Sequence, residues 1–311
     1  MTNEDLAKIV DTSDDWITQR VGIRERRYAA PGEASSDMAF HAATRALEAA
    51  GLTADALDMI VVGTITPDMQ IPACAAFVQK KLGCKDIPSF DVSAACAGFL
   101  YALSIADQFV RTGTVRNVLV IGVETLTSIT NFTDRNTCVL FGDGAGAVVL
   151  SRADDESRGL LLSTRIYTDS ALTDSLCIPE GGSLSPITAE AITLHRNKVY
   201  MSGQDIFKVA VKKLSSASLS AMKDAELTPD QIDWVVPHQA NLRIINQVAA
   251  RLGLPYERVI INIENRGNTS SASIPIALDE AIRDGRIKPG HVVLMSALGA
   301  GISWASALAR M

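Results

Sequence analysis

"DMIVVGTI", residues 58–65, opens on an aspartate and continues as a short apolar run rich in β-branched side chains, the pattern of a buried strand. "DWVVPHQ", residues 233–239, opens the same way 175 positions later. The correspondence runs along the chain. After the first run come helix-like ACAAFVQKKLG (73–83), strand PSFDV (88–92), helix CAGFLYALSIADQFVRTG (96–113), and strands NVLVIGVE (117–124) and GAGAVVLS (144–151). After the second come helix NLRIINQVAARLG (241–253), strand RVIINI (258–263), helix TSSASIPIALDEAIRDG (269–285) and strand HVVLMSA (291–297). The offset is 175 from Asp58 to Asp233, 172 from Gly113 to Gly285 and 174 from Asn117 to His291. A near-constant offset with matching element order marks an internal duplication, here of half a molecule. The reading predicts an α/β fold of two halves, 1–152 and 153–311, with a site between them where loops at the strand ends converge.

The second half also carries GLLLSTRIYTD (159–169), an opening strand ahead of the helix MSGQDIFKVAVKKL (201–214). The first half starts at TNEDL, in polar helix-like sequence, with no such strand. The first sheet is therefore expected to hold one strand fewer than the second.

Composition narrows the function classes. The 311 residues are 47% hydrophobic with few aromatics, enough for an ample core. No apolar run approaches the ~18 residues of a membrane span, and the acidic N-terminus lacks a secretory pattern, so a cytoplasmic setting is expected. A net charge of −6 argues against a general nucleic-acid binder. Five widely spaced cysteines without a C-x-x-C pair, and four scattered histidines, argue against a disulfide framework or a metal site. "FGDGAGAVVL" (141–150) has phosphate-loop composition but precedes a strand, so close sheet packing is its expected role.

"FDVSAACAGFLYAL", residues 90–103, turns from strand to helix at Cys96. A helix N-terminus favours thiolate over thiol, and Ala94, Ala95, Ala97 and Gly98 leave room for a substrate carbonyl. Cys74, Cys84, Cys138 and Cys177 lack that setting. His238 ends an apolar strand, and in a duplicated fold that end faces the same cleft; Asn268 sits in the loop "NRGNTSSAS". Cys96 plus 175 is Ser271, so corresponding turns of the two halves are brought together. An imidazole and an amide beside a thiol fit acyl transfer through a thioester, with both side chains donating to a developing oxyanion. The loop "ALGAGISW" (297–304) offers a further donor, the Ala300 amide, beside that of Cys96.

The stretches "DTSDDWITQRVGIRERR", "DVSAACAGFLYAL", "TDRNTCVLFGDGAGA", "PHQANLRI" and "GNTSSASIPIALDEA", in that order and spacing over the full length, resemble β-ketoacyl-acyl-carrier-protein synthase III. These condensing enzymes of the thiolase superfamily initiate type II fatty-acid synthesis. The Cys-His-Asn set distinguishes them from elongating ketosynthases with Cys-His-His, thiolases with a second Cys, and hydroxymethylglutaryl-CoA synthases with a Glu. The resemblance implies a layered αβαβα thiolase-like fold with mixed five-stranded sheets, the first here missing its opening strand, and a homodimer. It implies that Cys96 takes an acyl group from acyl-CoA, and that His238 and Asn268 stabilise the enolate formed when malonyl-acyl carrier protein loses carbon dioxide. No cofactor is implied, since CoA enters with the substrate. By the same resemblance Trp16 and Arg135 sandwich the CoA adenine, Arg20 and Asn241 make other CoA contacts, and Ile71 and Leu298 shape the acyl pocket. Arg243 matches the family's docking arginine, with Lys208 and Arg251, and more weakly Lys212 and Lys213, as a local basic face for the acidic carrier. Gly299-Ala300-Gly301 departs from the usual three glycines. A specialised acyltransferase or condensing enzyme of secondary metabolism carries the same motifs; a noncatalytic carrier-binding scaffold has no need of the Cys-His-Asn set.

Overall fold

The computed structural model describes residues 1–153 and 159–311. Its strands are β1 (Met59–Gly63), β2 (Ser89–Val92), β3 (Asn117–Glu124), β4 (Gly144–Ser151), β5 (Leu160–Thr168), β6 (Leu176–Cys177), β7 (Tyr200–Met201), β8 (Trp234–Pro237), β9 (Val292–Gly299) and β10 (Ser303–Arg310). They form two mixed sheets, ordered β2-β1-β3-β4 and β5-β10-β9-β8, with a small β6-β7 ribbon. β1 runs parallel to β2 and β3, as β8 does to β9; β4 and β10 run antiparallel to β3 and β9.

The apolar runs lack polar positions because both faces of each sheet are buried. Met59 and Val61 of β1 and Val118 and Val120 of β3 face a central core. There the helices Gly98–Arg111 and Ser273–Arg283 lie between the sheets, against Val293, Met295, Ala305 and Ala307 of the second. The alternate residues, Ile60, Val62, Leu119, Ile121 and Val123, face outward under the helices Ser35–Ala50 and Cys74–Leu82. Helices Gly203–Asp224 and Leu242–Leu252 cover the far side of the second sheet. The period of two in a strand thus sorts one apolar run between two cores, giving five layers. Among the described residues no helix is long and apolar enough to cross a membrane.

The offset of 175 recurs in the element bounds. β3 and β9 correspond residue for residue, as do the short turns Ala95–Ala97 and Ser270–Ala272. Ala95 (φ 45°) and Ser270 (φ 49°), both left-handed without being glycine, also stand 175 apart.

Two expectations are corrected. The first sheet has the four strands expected, but the second also has four, not five, so the counts are equal. RVIINI forms only one bridge, Val259 to Val235, where a strand was expected. The cause is the buried Gln239 side chain: its Nε2 donates to the Ile260 carbonyl (3.1 Å), and its Oε1 accepts from the amides of Asn262 (3.1 Å) and Ile263 (3.2 Å). A side chain takes the partners that a ladder would have used. β5 pairs with the outer edge of β10, while among the described residues the corresponding edge of β4 has no partner strand. The counts match because the two sheets lack different members.

The facing turns approach closely. A Cβ on Gly122 would lie 2.3 Å from the Ser271 carbonyl oxygen, and one on Gly63 would lie 2.4 Å from the Gly98 carbonyl carbon. Gly122→Ala must therefore push the Ser270–Ala272 turn away. A loss of roughly 1–3 kcal/mol, typical of overpacking, is expected in a urea titration; an unchanged midpoint would show that the turn yields freely.

Candidate active site

Cys96 sits in the Ala95–Ala97 turn between β2 and the helix that starts at Gly98. The end of β9, where the loop to β10 begins, presses against this turn, since a Cβ on Gly299 would lie 2.6 Å from the Cys96 amide nitrogen. Ala300, the expected oxyanion donor, is the next residue along that loop. It is not among the residues lining the cavity described below. The pull of the helix terminus towards thiolate is opposed by the surroundings of the sulfur. Burial pushes the Cys96 thiol up to about 12; the Ser270 hydroxyl pulls the other way, and the Glu124 carboxylate adds to the rise. In this environment the helix terminus does not by itself leave the sulfur ionised.

His238 follows β8, and its amide donates to the Ser296 carbonyl (2.8 Å), extending the β8–β9 ladder by one residue. Its Nδ1 lies 2.6 Å from Ser273 Oγ, which also faces the Gln239 amide at 3.4 Å. The Ser273 hydroxyl has Nδ1 as its acceptor when it accepts from Gln239 and donates to the ring. The imidazole proton then resides on Nε2, a donor. Burial pushes the pKa of His238 down to about 3, so the ring is neutral. Asn268 is fixed through its backbone, donating to the Leu140 carbonyl (2.9 Å) and accepting from the Gly142 amide (2.9 Å). Its Oδ1 accepts from the Ser270 amide at 2.9 Å, which leaves Nδ2 as the donor.

Cys96, His238 and Asn268 line one cavity of about 130 Å³. Its remaining wall is chiefly apolar: Phe141, Ile206, Leu214, Ile244, Val248 and the expected Leu298. Apart from Leu298 these residues were not singled out from the sequence. Ile206, Ala210 and Leu214 recur every four residues along the Gly203–Asp224 helix, a stripe that reads as ordinary core packing. The cavity shares Leu140, Met201, Gly203, Phe207 and Asn241 with a wider cleft of about 830 Å³, so the two are adjacent.

Trp16, Arg20, Lys208, Asn241 and Arg243 all line the wider cleft. Arg20 and Arg135 place their guanidinium carbons 4.8 and 5.0 Å from the Trp16 ring centre. An aromatic ring held between Trp16 and Arg135 needs about 7 Å, two contacts of 3.5 Å, so Arg135 must swing outward to admit one. Asn241 caps the Leu242–Leu252 helix, its side chain accepting from the Arg243 amide (2.9 Å). Arg243 lies over the Phe207 ring at 5.4 Å.

Four expected residues stand apart. Ile71 is 84% exposed and absent from the cavity wall, because the segment between β1 and the Cys74–Leu82 helix carries it outward. Arg251 lies in the last turn of the Leu242–Leu252 helix, eight residues beyond Arg243, and lines neither space. Lys213 is taken up by Asp169 (2.7 Å) and the Trp304 ring (4.2 Å). Lys212 is exposed, one helical turn beyond Lys208.

Two family profiles match the chain: 3-oxoacyl-(acyl-carrier-protein) synthase III over residues 90–170, and its C-terminal region over residues 222–311. The chain is 50% identical over 310 residues to a β-ketoacyl-(acyl-carrier-protein) synthase III of Psychromonas ingrahamii, covering 100% of this chain and 95% of that one. It resembles the crystal structure of the 3-oxoacyl-(acyl-carrier-protein) synthase III of Aquifex aeolicus, with a TM-score of 0.92, 45% identity, and coverage of 100% and 95%. It also resembles the priming β-ketosynthase of the R1128 polyketide biosynthetic pathway, with a TM-score of 0.92, 36% identity, and coverage of 100% and 92%.

Proposed function

The chain belongs to the 3-oxoacyl-(acyl-carrier-protein) synthase III family, and on that premise we propose that it condenses an acyl-CoA primer with malonyl-acyl carrier protein. The product is a 3-oxoacyl-acyl carrier protein, the first condensation of fatty-acid synthesis. The observation that carries this reading is the meeting of Cys96, His238 and Asn268 in one largely apolar cavity that adjoins the cleft walled by Trp16 and Arg243.

The Cys96 sulfur attacks the acyl thioester, and the amides of Cys96 and Ala300 serve as donors to the tetrahedral oxyanion. The bond to CoA breaks, and the acyl chain remains among Ile206, Leu214 and Leu298. Malonyl-acyl carrier protein then places its thioester oxygen against His238 Nε2–H and Asn268 Nδ2. As the malonyl carboxylate leaves as carbon dioxide, both donors hold the enolate oxygen. The resulting carbanion attacks the acyl carbonyl and releases Cys96. A neutral imidazole suits this role, because it donates without first losing a proton.

The same reading treats 1–152 and 153–311 as the two halves, the first bringing Cys96 and the second His238 and Asn268. It places the enzyme in the cytoplasm as a homodimer; Ile71 (84% exposed) and Met69 (52% exposed) then belong to the contact between copies. The 36% identity to a polyketide priming synthase favours a second reading, a priming condensation in secondary metabolism. Incubation with acyl-CoAs of graded length, followed by malonyl-acyl carrier protein, tests both. Acylation at Cys96 without carbon dioxide release would refute decarboxylative condensation; a sharp preference for long or branched primers would favour the second reading.

Arg243→Glu reverses charge at the mouth of the cleft, where an acidic carrier must approach. The carrier-dependent half-reaction is expected to lose about tenfold or more in kcat/KM, and acylation from CoA much less. Added salt should narrow the gap, since surface steering is screened over about 8–10 Å. Equal losses in the two half-reactions would make Arg243 a wall residue only.

A further inference from the structure

Glu124 ends β3 and is wholly buried. Its Oε2 accepts from Thr66 Oγ1 (2.6 Å), the Ile65 amide (3.1 Å) and Thr64 Oγ1 (3.3 Å). Its Oε1 accepts from Ser270 Oγ (3.1 Å). Every one of these partners is a neutral donor, and none supplies the positive charge that a buried carboxylate normally takes. By the offset of 175, Glu124 corresponds to Gly299, the residue pressed against the Cys96 amide. One half has kept that strand end bare against the nucleophile's turn; the other has put a carboxylate against the opposite turn.

Ser270 connects the two. Its left-handed backbone, held by its amide on Asn268 Oδ1, sets the hydroxyl against Glu124, and its turn packs against the turn that carries Cys96. Such strain in a residue that is not glycine costs of order 1–3 kcal/mol and persists where the placement is used. We propose that Ser270 and Glu124 form the proton path of Cys96: the thiol proton passes to Ser270 Oγ while the Ser270 hydroxyl proton passes to Glu124 Oε1. This rests on the acyl-transfer reading above. The products of the step are a thiolate and a neutral glutamic acid. The thiolate attacks the acyl-CoA carbonyl, and the departing CoA thiolate takes a proton from solvent. The proton held on Glu124 returns through Ser270 when condensation expels the Cys96 sulfur.

The alternative base fits poorly. His238 has Nδ1 on Ser273 and is a weak base with its pKa near 3. Burial raises Glu124 to about 7, so at neutral pH it can both take and return a proton. The groups facing Glu124 are Thr64, Ile65 and Thr66 after β1, Ser270 and Ser271 on the opposite turn, and Cys96; of these only Cys96 titrates.

The test follows iodoacetamide alkylation of Cys96 and its acylation by acetyl-CoA, both by intact-protein mass spectrometry, between about pH 5.5 and 9. The full-length wild type, Ser270→Ala and Glu124→Gln are compared, each checked for folding by circular dichroism. In the wild type both rates should rise through an inflection near neutrality. In either variant they should fall roughly tenfold or more at pH 7, and the inflection should move to higher pH. Ser270→Ala keeps Glu124 in place, so it carries the test if Glu124→Gln does not fold. A folded Ser270→Ala with an unchanged alkylation profile overturns the proposal. If alkylation shifts as expected but acetyl-CoA never labels the wild-type protein, the acyl-transfer reading fails and the proton path stands.

Discussion

Cys96→Ala is expected to abolish acyl-enzyme formation while the protein continues to decarboxylate malonyl-acyl carrier protein. The two half-reactions draw on different atoms. Acylation needs the sulfur as the atom that forms the new bond, and removing such a nucleophile costs on the order of 10⁶ in comparable covalent enzymes. Decarboxylation needs only donors to the thioester oxygen, and nothing that fixes those donors passes through Cys96. His238 is held by Ser273 and the Ser296 carbonyl; Asn268 is held by Leu140, Gly142 and Ser270. Mass spectrometry of the variant after acyl-CoA should show the unmodified mass, and carbon dioxide should still be released from malonyl-acyl carrier protein. Label on the variant would place the nucleophile elsewhere. Loss of both half-reactions would mean that the sulfur also organises the donors.

What the sequence discloses follows from which interactions are local. Strand β3 is readable as NVLVIGVE because burial on both faces leaves no polar position between Asn117 and Glu124, and its partner β9 stands at the same offset. Cys96 is legible because small residues and a strand-to-helix turn are local signals. RVIINI misleads for the opposite reason. Its composition is that of a strand, but the Gln239 side chain, some 20 residues earlier, takes its backbone partners. The thiol's state is equally non-local: a helix terminus can be read from sequence, whereas its burial and the nearness of Glu124 need the fold. Ser270 and Ser273 look like turn chemistry in "GNTSSAS", since neither a contact with Glu124, 146 residues away, nor one with His238 leaves a pattern nearby. Ile71 matches its motif yet stands outside the cavity, because a motif match says nothing about which way its segment turns the side chain.

Asn268→Ala and His238→Ala are expected to reverse the Cys96→Ala pattern, acylating at near-normal rates and decarboxylating 10²–10³-fold more slowly, the usual cost of one lost oxyanion donor. The double variant should lose little more than the worse single one if the two donors act as a unit. The pH dependence gives a sharper test of His238. An unperturbed imidazole changes charge near 6.5, but burial holds this one neutral down to about 3. Decarboxylation by the Cys96→Ala protein should therefore be flat from about pH 5 to 8, with no inflection near the ordinary histidine value. The same depression links His238 to stability. Above 6.5 the ring is neutral in both the folded and unfolded chain; as pH falls from there towards 3 the unfolded chain takes up a proton that the folded one refuses, so stability is lost progressively. An inflection near 6.5 in the decarboxylation rate would show that the imidazole ionises in the cavity, and that it works as a cation rather than as the neutral donor set by Ser273.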